Sequence, residues 1–313
     1  MHWNLASVGI SLVLLLLPCA SEELLAAHEA GGGGMSEDRE GCVSVNGAEL
    51  YYSAQGSGPT CLVLTAIGTE PYRRLMPPPL TTHLKLVYID LRGGGRSTGD
   101  PSDLTFDVLA TDLEAIRREL GAERVAVLGH SILGMLAIEY GRRFPASVSH
   151  VIVVGTPPSG DMASLATESA AFFEEHASAD RKQLLRDNLS KLPEGASMGE
   201  SMLAQTPMRF YDARFDAAPL FADADVKPAL LKHIMGTLTP GWSVTAEPRS
   251  LHVPIFIALG RYDFTVPYVL WDGIPDGLPD ATLRIFEESG HQPFFEEPEV
   301  FADALSKWMA DQR

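Results

Sequence analysis

The sequence predicts an α/β protein with a mostly parallel central sheet and helices on both of its faces. Short, fully apolar runs alternate with segments that carry apolar residues at helical spacing, as in sheets that are buried on both sides. Of the 313 residues, 45% are hydrophobic and 21% are charged, which suits one large core and argues against disorder. The alternation is interrupted once, between about residues 157 and 250, so we expect an insertion there.

The first predicted elements are a hairpin and a series of buried strands. Residues 43–45 and 49–54 flank Asn46-Gly47, a dipeptide preferred in two-residue hairpin turns. The later strands are short runs dominated by aliphatic residues, at 61–65, 86–89, 125–128, 151–154, 255–258 and 283–286.

Helices are predicted between these strands and at the end of the chain. Residues 104–120 have apolar residues at helical spacing, with Gly121 as a stop signal, and a second helix runs from about 132 to 143. A third closes the chain over about 298–311. Residues 157–250 show helical patterning without a convincing buried strand, so we predict a helical lid, inserted in a core of residues 35–156 and 251–313.

Residues 1–34 are interpreted separately, with two readings left open. The 13 residues from 5 to 17 are apolar but too short to span a bilayer, and their length suits the apolar part of a secretory signal. No Lys or Arg precedes Arg39, so the usual positive region is missing. The alternative is an upstream extension with a glycine linker at 31–34 and an ordinary domain start at Met35. The first reading predicts an extracytoplasmic protein, the second a cytoplasmic one, and neither predicts membrane insertion of the mature domain.

The charge balance and the cysteines exclude several classes of function. Asp and Glu outnumber Lys and Arg by 41 to 24, a formal net charge of −17, which disfavours nucleic acid and anionic membrane surfaces as partners. The three cysteines lack the paired spacing typical of zinc sites, so we expect no metal. A small molecule or short peptide is the expected partner, and the oligomeric state is left open.

Three residues in the order Ser, Asp, His point to nucleophilic catalysis. Ser131 lies between the predicted strand 125–128 and a helix, a turn that exposes the hydroxyl and directs the next amide at a developing oxyanion. Asp263 and His291 each follow a later strand, and functional groups gather at the carboxyl ends of parallel strands. We predict that Ser131 is the nucleophile, that His291 is its general base and that Asp263 orients His291.

On these residues the sequence resembles the α/β-hydrolase-fold serine hydrolases, in particular the lid-bearing proline iminopeptidase-like and esterase-like group. The resemblance runs from about Val43 to the C-terminus. Residues 90–97 match a D-x-R-G-x-G-x-S loop, residues 290–293 match the G-H-x-P histidine loop, and residues 155–158 stand where the lid of such proteins begins. The resemblance implies hydrolysis of an ester, amide or similar acyl bond without metal or cofactor.

Two departures from the family pattern affect the oxyanion hole and the nucleophile turn. Thr65-Ala66-Ile67-Gly68 replaces the usual His-Gly, and alignment with the family puts the oxyanion donors at the backbone N–H groups of Ile67 and Ile132, with Ala66 as the alternative to Ile67. Leu133 stands where a small residue is usual, two places after Ser131, and its side chain would crowd the turn.

Three functions are considered. We favour hydrolysis of a carboxylic ester with a small or medium acyl group, lactones included, through an acyl-enzyme. The second is an aminopeptidase of the proline iminopeptidase type, in which a lid glutamate would hold the substrate ammonium. Glu168, Glu174 and Glu175 are its candidates, although a solvated helix face explains them better. The third is a weakly catalytic small-molecule receptor on the same scaffold.

Overall fold

The computed structural model describes residues 39–247 and 250–312, and the proposed signal or extension at 1–34 lies outside them. Within this part of the chain, eight strands form one sheet in the order β1-β2-β4-β3-β5-β6-β7-β8. The strands are β1 (Arg39–Val45), β2 (Ala48–Gln55), β3 (Thr60–Thr65), β4 (Lys85–Asp90), β5 (Val125–His130), β6 (Val148–Val154), β7 (Ile255–Gly260) and β8 (Ala281–Phe286).

The sheet is mostly parallel, as predicted. Strand β2 pairs antiparallel with both β1 and β4, and the remaining neighbours are parallel. The turn between β1 and β2 contains Asn46 at φ 47° and Gly47 at φ 76°. Both values lie in the left-handed region that the tightest hairpin turns require, which is why the Asn-Gly pair located this turn.

The helices lie between the strands and in one long segment between β6 and β7. They are α1 (Thr69–Leu75), α2 (Pro78–Thr81), α3 (Phe106–Glu119), α4 (Leu133–Arg143), α5 (Met162–His176), α6 (Ala179–Ser190), α7 (Met198–Ala204), α8 (Thr206–Arg209), α9 (Pro228–His233), α10 (Pro293–Glu296) and α11 (Pro298–Asp311). None of the helices in the described ranges is long and apolar enough to cross a membrane.

Two apolar cores cover the two faces of the sheet. Along β5, Val125 and Val127 belong to the core shared with α3 and α4, whereas Ala126 and Leu128 belong to the core shared with α1, α2 and α11. Side chains of a strand alternate between faces, so a strand buried on both sides reads as a continuous apolar run. This explains why the strands could be predicted from the sequence.

We call residues 157–250 the helical segment. It contains α5 to α9, and its described part has no strand. Its two ends meet at an antiparallel bridge between Ser159 and Ser243, where Gly160 N–H donates to Trp242 O and Val244 N–H donates to Pro158 O. The segment therefore leaves and rejoins the sheet at neighbouring points.

The loop at residues 90–97 has a structural role. Buried Asp90 accepts hydrogen bonds from Thr65 Oγ1 at 2.7 Å and from Arg96 N–H at 2.8 Å. A Cβ atom on Gly95 would lie 2.2 Å from Asp90 Oδ2, so only glycine fits there. These contacts hold the loop that follows β4 in a fixed shape, and β4 is the neighbour of β3 in the sheet.

Candidate active site

Ser131 occupies a strained turn between β5 and α4. Its φ of 56° lies in the left-handed region, which costs a residue with a side chain about 1 kcal/mol. The Ser131 N–H donates to Val154 O at 2.8 Å, which ties the turn to the end of β6. A nonglycine residue held in this conformation at the carboxyl edge of a sheet is typical of a nucleophile elbow.

Two glycines make this turn sterically possible. A Cβ on Gly129 would lie 2.3 Å from Leu133 O, and one on Gly134 would lie 2.0 Å from Thr156 Oγ1. Leu133 itself is buried in the core shared with α3 and α4. The requirement for a small side chain thus falls on Gly134, where the helix passes Thr156, and not on the position of Leu133.

Asp263 and His291 are joined by a fully buried hydrogen bond. His291 Nδ1 lies 2.7 Å from Asp263 Oδ2, and both side chains are 0% exposed. Asp263 Oδ1 accepts the N–H groups of Thr265 at 2.9 Å and Val266 at 2.8 Å. A carboxylate only accepts hydrogen bonds, so His291 Nδ1 carries the proton and Nε2 keeps its lone pair, as a general base requires.

His291 Nε2 is buried without a hydrogen-bond partner among the described residues. The structure therefore brings Asp263 and His291 together, whereas no hydrogen bond joins Ser131 Oγ to His291 Nε2 within the described chain. Nucleophile–base contacts are often long in an enzyme without substrate and tighten in the reacting complex.

A second histidine, His130, contacts the backbone of His291. His130 Nε2 lies 3.0 Å from His291 O, and His130 Nδ1 lies 3.3 Å from Tyr72 Oη. A carbonyl oxygen only accepts, so His130 Nε2–H donates to it and the Tyr72 hydroxyl donates to Nδ1. Burial, and to a smaller extent the electrostatic interaction with the neighbouring His291 ring, lower the pKa of His130 well below its usual 6.5. His130 is therefore a neutral support for the histidine loop.

Ser131 lines a cavity of about 330 Å³ between the sheet edge and the helical segment. Its walls are mostly aliphatic and methionine side chains, including Ile132, Leu133, Leu165, Met198, Met202 and Met235. Ala66 and Ile67 line it as well. The Ile67 and Ile132 N–H groups donate to no other residue in the described ranges. Both amides are free for a ligand oxygen.

Three polar side chains that the sequence did not indicate also line this cavity: Arg209, Thr265 and Gln292. Gln292 is 1% exposed, and its Oε1 has no partner in the described part of the chain. Arg209 ends α8 and is held against the histidine loop, because its carbonyl accepts the His291 N–H at 2.7 Å. No periodicity or motif marks Arg209, and only this tertiary contact brings it to the site.

Glu296 ties the histidine loop to the helical segment. Its carboxyl group accepts the N–H groups of Tyr211 at 2.6 Å, Gly290 at 2.9 Å and Gln292 at 3.2 Å. Burial raises the pKa of Glu296 to about 8, against the lowering effect of these three amides. The group thus links two parts of the chain that are remote in sequence.

The three glutamates considered as ammonium ligands lie outside the cavity. Glu168, Glu174 and Glu175 are exposed, and Glu174 lies 3.5 Å from Lys182 Nζ. No Asp or Glu side chain lines the cavity that contains Ser131, as far as the described residues go. Over the same residues, no cluster of His, Cys, Asp and Glu could hold a metal ion.

Comparison with known proteins identifies the family. Residues 61–298 match the family described as alpha/beta hydrolase fold, and these residues include Ser131, Asp263 and His291. The chain belongs to the α/β-hydrolase family. The sequence-based fold class and the family resemblance are thus both confirmed.

The α/β-hydrolase relatives include esterases and peptidases. The AB hydrolase superfamily protein YclE of Bacillus subtilis is 30% identical over 281 residues, 87% of this chain and 99% of that protein. The pimeloyl-[acyl-carrier protein] methyl ester esterase of Pectobacterium atrosepticum is 23% identical over 273 residues, 82% of this chain and 97% of that protein. The crystal structure of proline iminopeptidase from Mycobacterium smegmatis superimposes with a TM-score of 0.70 at 19% identity, covering 88% of this chain and 98% of that one.

Proposed function

We propose that this α/β-hydrolase hydrolyses a carboxylic ester through an acyl-enzyme formed on Ser131. One observation carries the proposal: the strained turn at Ser131 lines an apolar cavity whose wall also contains Thr265 and Gln292, the close sequence neighbours of the buried Asp263–His291 pair. We further propose that the helical segment is the lid over this site and that the Ile67 and Ile132 amides form the oxyanion hole.

The proposed reaction has two acyl-transfer steps. Ser131 Oγ bonds to the ester carbonyl carbon while its proton passes to His291 Nε2. The carbonyl oxygen takes up the negative charge and is stabilised by the two backbone amides. The C–O bond to the alcohol breaks, and the alcohol leaves with the proton from His291. A water molecule, deprotonated by His291, then attacks the acyl-enzyme and releases the acid and Ser131.

Asp263 has two tasks in this proposal. It fixes the His291 ring with Nδ1 protonated, and its charge stabilises the imidazolium that forms when Nε2 accepts the serine proton. The two amide donors on Asp263 Oδ1 hold the carboxylate in place, so little reorganisation accompanies the reaction.

The lining of the cavity favours an ester over a peptide with a free N-terminus. An ammonium group is bound most strongly by a carboxylate, and the described lining contains none, while it does contain the cation of Arg209. The aliphatic and methionine walls suit the acyl or alcohol part of a small or medium ester. The pimeloyl methyl ester esterase among the relatives is in keeping with an ester substrate.

Hydrolysis of 4-nitrophenyl butyrate by the full chain and by Ser131→Ala tests the proposal. Removal of a triad nucleophile is expected to lower kcat by about 10⁴-fold or more with the fold intact by circular dichroism. L-Prolyl-4-nitroanilide, assayed beside it, tests the peptidase alternative. Ester activity that survives in Ser131→Ala, or turnover of the anilide alone, would contradict the proposal.

A further inference from the structure

We infer that Arg209 and Gln292 form a carboxylate-binding subsite, so that the substrate is an ester that also carries a carboxylate. The inference rests on the proposed ester hydrolysis at Ser131 and names the class of ester. It is drawn from an arginine without a partner in the wall of an apolar cavity.

Arg209 has no hydrogen bond or ion pair from its guanidinium to any residue in the ranges 39–247 and 250–312. The contrast with other enclosed arginines is clear. Arg92 forms a two-point ion pair with Asp112, and Arg181 donates to the carbonyls of Pro207, Phe210 and Tyr211. Arg209 is only partly exposed to solvent, and an arginine that is largely removed from water without acceptors is costly unless a ligand supplies them.

Nearby negative charge does not satisfy Arg209. Asp263 attracts it, but both Asp263 oxygens are already engaged by His291 and by two backbone amides. Burial lowers the pKa of Arg209, yet a guanidinium stays protonated at all working pH values. A cation with five donors therefore lines the cavity with those donors available.

Gln292 supplies an uncharged polar group in the same wall. Its side chain is 1% exposed, and its amide oxygen accepts no hydrogen bond from any residue in the described chain. Asparagine and glutamine amides can turn either end toward a ligand, so the NH₂ group can donate to a carboxylate oxygen. Arg209 and Gln292 thus offer the charge and the additional donor that carboxylate recognition uses.

The shape of the site leaves room for a chain between ester and carboxylate. A neighbouring cavity of about 360 Å³ shares Ile67, Met198, Met202, Arg209 and Phe221 with the cavity of Ser131. Arg209 therefore lies where the two spaces meet. The second space also contains Asp225, which is paired with Lys227 at 2.8 Å.

A single negative charge fits better than two. The subsite has one cation, and the carboxylates of Asp263 and Glu296 belong to the adjacent histidine machinery. A phosphate dianion would meet more repulsion there than a carboxylate. A half-ester of a dicarboxylic acid, or an ester of a hydroxy acid, has the required chemistry.

Two pairs of matched esters test the inference. The first compares the mono-4-nitrophenyl ester of adipic acid with 4-nitrophenyl hexanoate, which share a six-carbon acyl chain. The second compares 3-(butanoyloxy)benzoate with phenyl butanoate and places the charge on the alcohol. For each pair, the ratio of kcat/KM for the charged ester to that for the neutral ester is measured in the wild type and in Arg209→Met.

We expect the ratio to fall by about 10- to 100-fold in Arg209→Met for at least one pair, the effect of losing charge-assisted hydrogen bonds. Arg209→Lys keeps the positive charge but cannot form two parallel hydrogen bonds to a carboxylate, so its ratio should lie between those of the wild type and Arg209→Met. Arg214→Met removes an exposed arginine five residues later and should leave the ratio unchanged. Equal ratios in the wild type and in Arg209→Met for both pairs would overturn the inference.

A binding measurement separates this inference from the proposed function. In the Ser131→Ala background, calorimetry with monomethyl adipate should give a Kd about tenfold higher or more when Arg209→Met is added. Equal affinities would overturn the subsite whatever the enzyme hydrolyses. Ester turnover that persists in Ser131→Ala would overturn the proposed function, while the affinity difference would still support the subsite.

Discussion

The turn at Ser131 and the helical segment differ in how tightly their surroundings determine them. Every residue of β5 is buried, and added Cβ atoms on Gly129 or Gly134 would meet other atoms at 2.3 Å or less. In the helical segment, α6 has no buried residue, and a Cβ on Gly236 would meet nothing within 4 Å. The backbone at the Ser131 turn is therefore closely restricted by its neighbours, whereas parts of the helical segment, which supplies some of the cavity walls, are less closely packed.

The helical segment is nevertheless held at a few defined points. Arg74 Nη1 lies 2.9 Å from Asp223 Oδ2, and Asp225 N–H donates to Ile67 O at 2.8 Å. Phe172 and Phe173 of α5 pack against Phe264, next to Asp263. These contacts join the segment to the elements that carry the proposed oxyanion donor and the aspartate. The segment is therefore fixed to these elements at a few points rather than along its whole length.

The largest effect that would sharpen this comparison is expected from Asp263→Asn. An amide in place of the carboxylate favours the other tautomer of His291 and occupies Nε2 with a proton, so kcat should fall by about 10³- to 10⁴-fold. Asp272→Asn, an exposed aspartate in the same β7–β8 connection, is the matched control and should keep wild-type turnover. Steady-state kinetics that show equal activity for both variants would break the assignment of Asp263.

Glycine substitutions compare the two regions directly. Gly129→Ala forces a Cβ against the backbone of α4, so we expect about 3 kcal/mol less unfolding free energy together with loss of ester turnover. Gly236→Ala adds its Cβ to open space and should leave the unfolding free energy within about 1 kcal/mol of wild type or raise it. Urea denaturation measures both variants. Similar losses in the two would show that the regions are equally constrained.

Glu296 predicts a pH dependence of stability. Because burial raises its pKa from 4.5 to about 8, the folded chain holds a proton that the unfolded chain has lost between these values. Its contribution to stability is therefore fully present below about pH 4.5 and is lost as the pH rises toward 8, at up to about 1.4 kcal/mol per pH unit.

The difference in unfolding free energy between wild type and Glu296→Gln, followed by urea denaturation from pH 5 to 8.5, isolates this term. As the pH rises, the unfolding free energy of the wild type should fall relative to that of Glu296→Gln. Glu299→Gln removes an exposed carboxylate from α11 and controls for the change in net charge. A difference that is independent of pH, or that favours the wild type at high pH, would contradict the prediction.

The smallest effect is expected in the cavity wall. Met202→Ala enlarges the space that the two cavities share, so kcat/KM for 4-nitrophenyl hexanoate relative to the acetate should rise by about 3- to 10-fold. Met309→Ala is the control. Met309 lies on α11 in the core on the other side of the sheet from α3 and α4, so this change should lower stability without changing the ratio. An unchanged ratio in Met202→Ala would show that Met202 does not influence the choice of acyl chain.

Most of the fold was predictable because the sheet is buried on both faces. Continuous apolar runs marked β3 to β7, and Asn46-Gly47 marked the hairpin by its demand for left-handed backbone. The candidate residues Ser131, Asp263 and His291 could also be found from the sequence, since each follows the end of a strand. The sequence did not show that Leu133 fits the turn, because the position that must be small is Gly134, and its limit is a tertiary contact with Thr156.

The polar residues that line the cavity could not be predicted from the sequence either, because tertiary contacts bring them there. Arg209 reaches the site through its carbonyl bond to His291 and the close packing of Gly290 on the same backbone. Tyr72 reaches His130 across 58 positions of sequence, and Glu296 joins Tyr211 to the histidine loop across 85. Such pairings are set by tertiary structure, and neither helical nor strand periodicity encodes them.

Covalent trapping of the nucleophile tests the central claim most directly. The full chain is treated with diethyl 4-nitrophenyl phosphate, and the modified peptide is located by mass spectrometry while ester turnover is followed. We expect one adduct per chain on Ser131, activity lost in proportion to labelling, and no adduct in Ser131→Ala. Labelling of another residue in step with the loss of activity, or full activity after Ser131 is labelled, would contradict it.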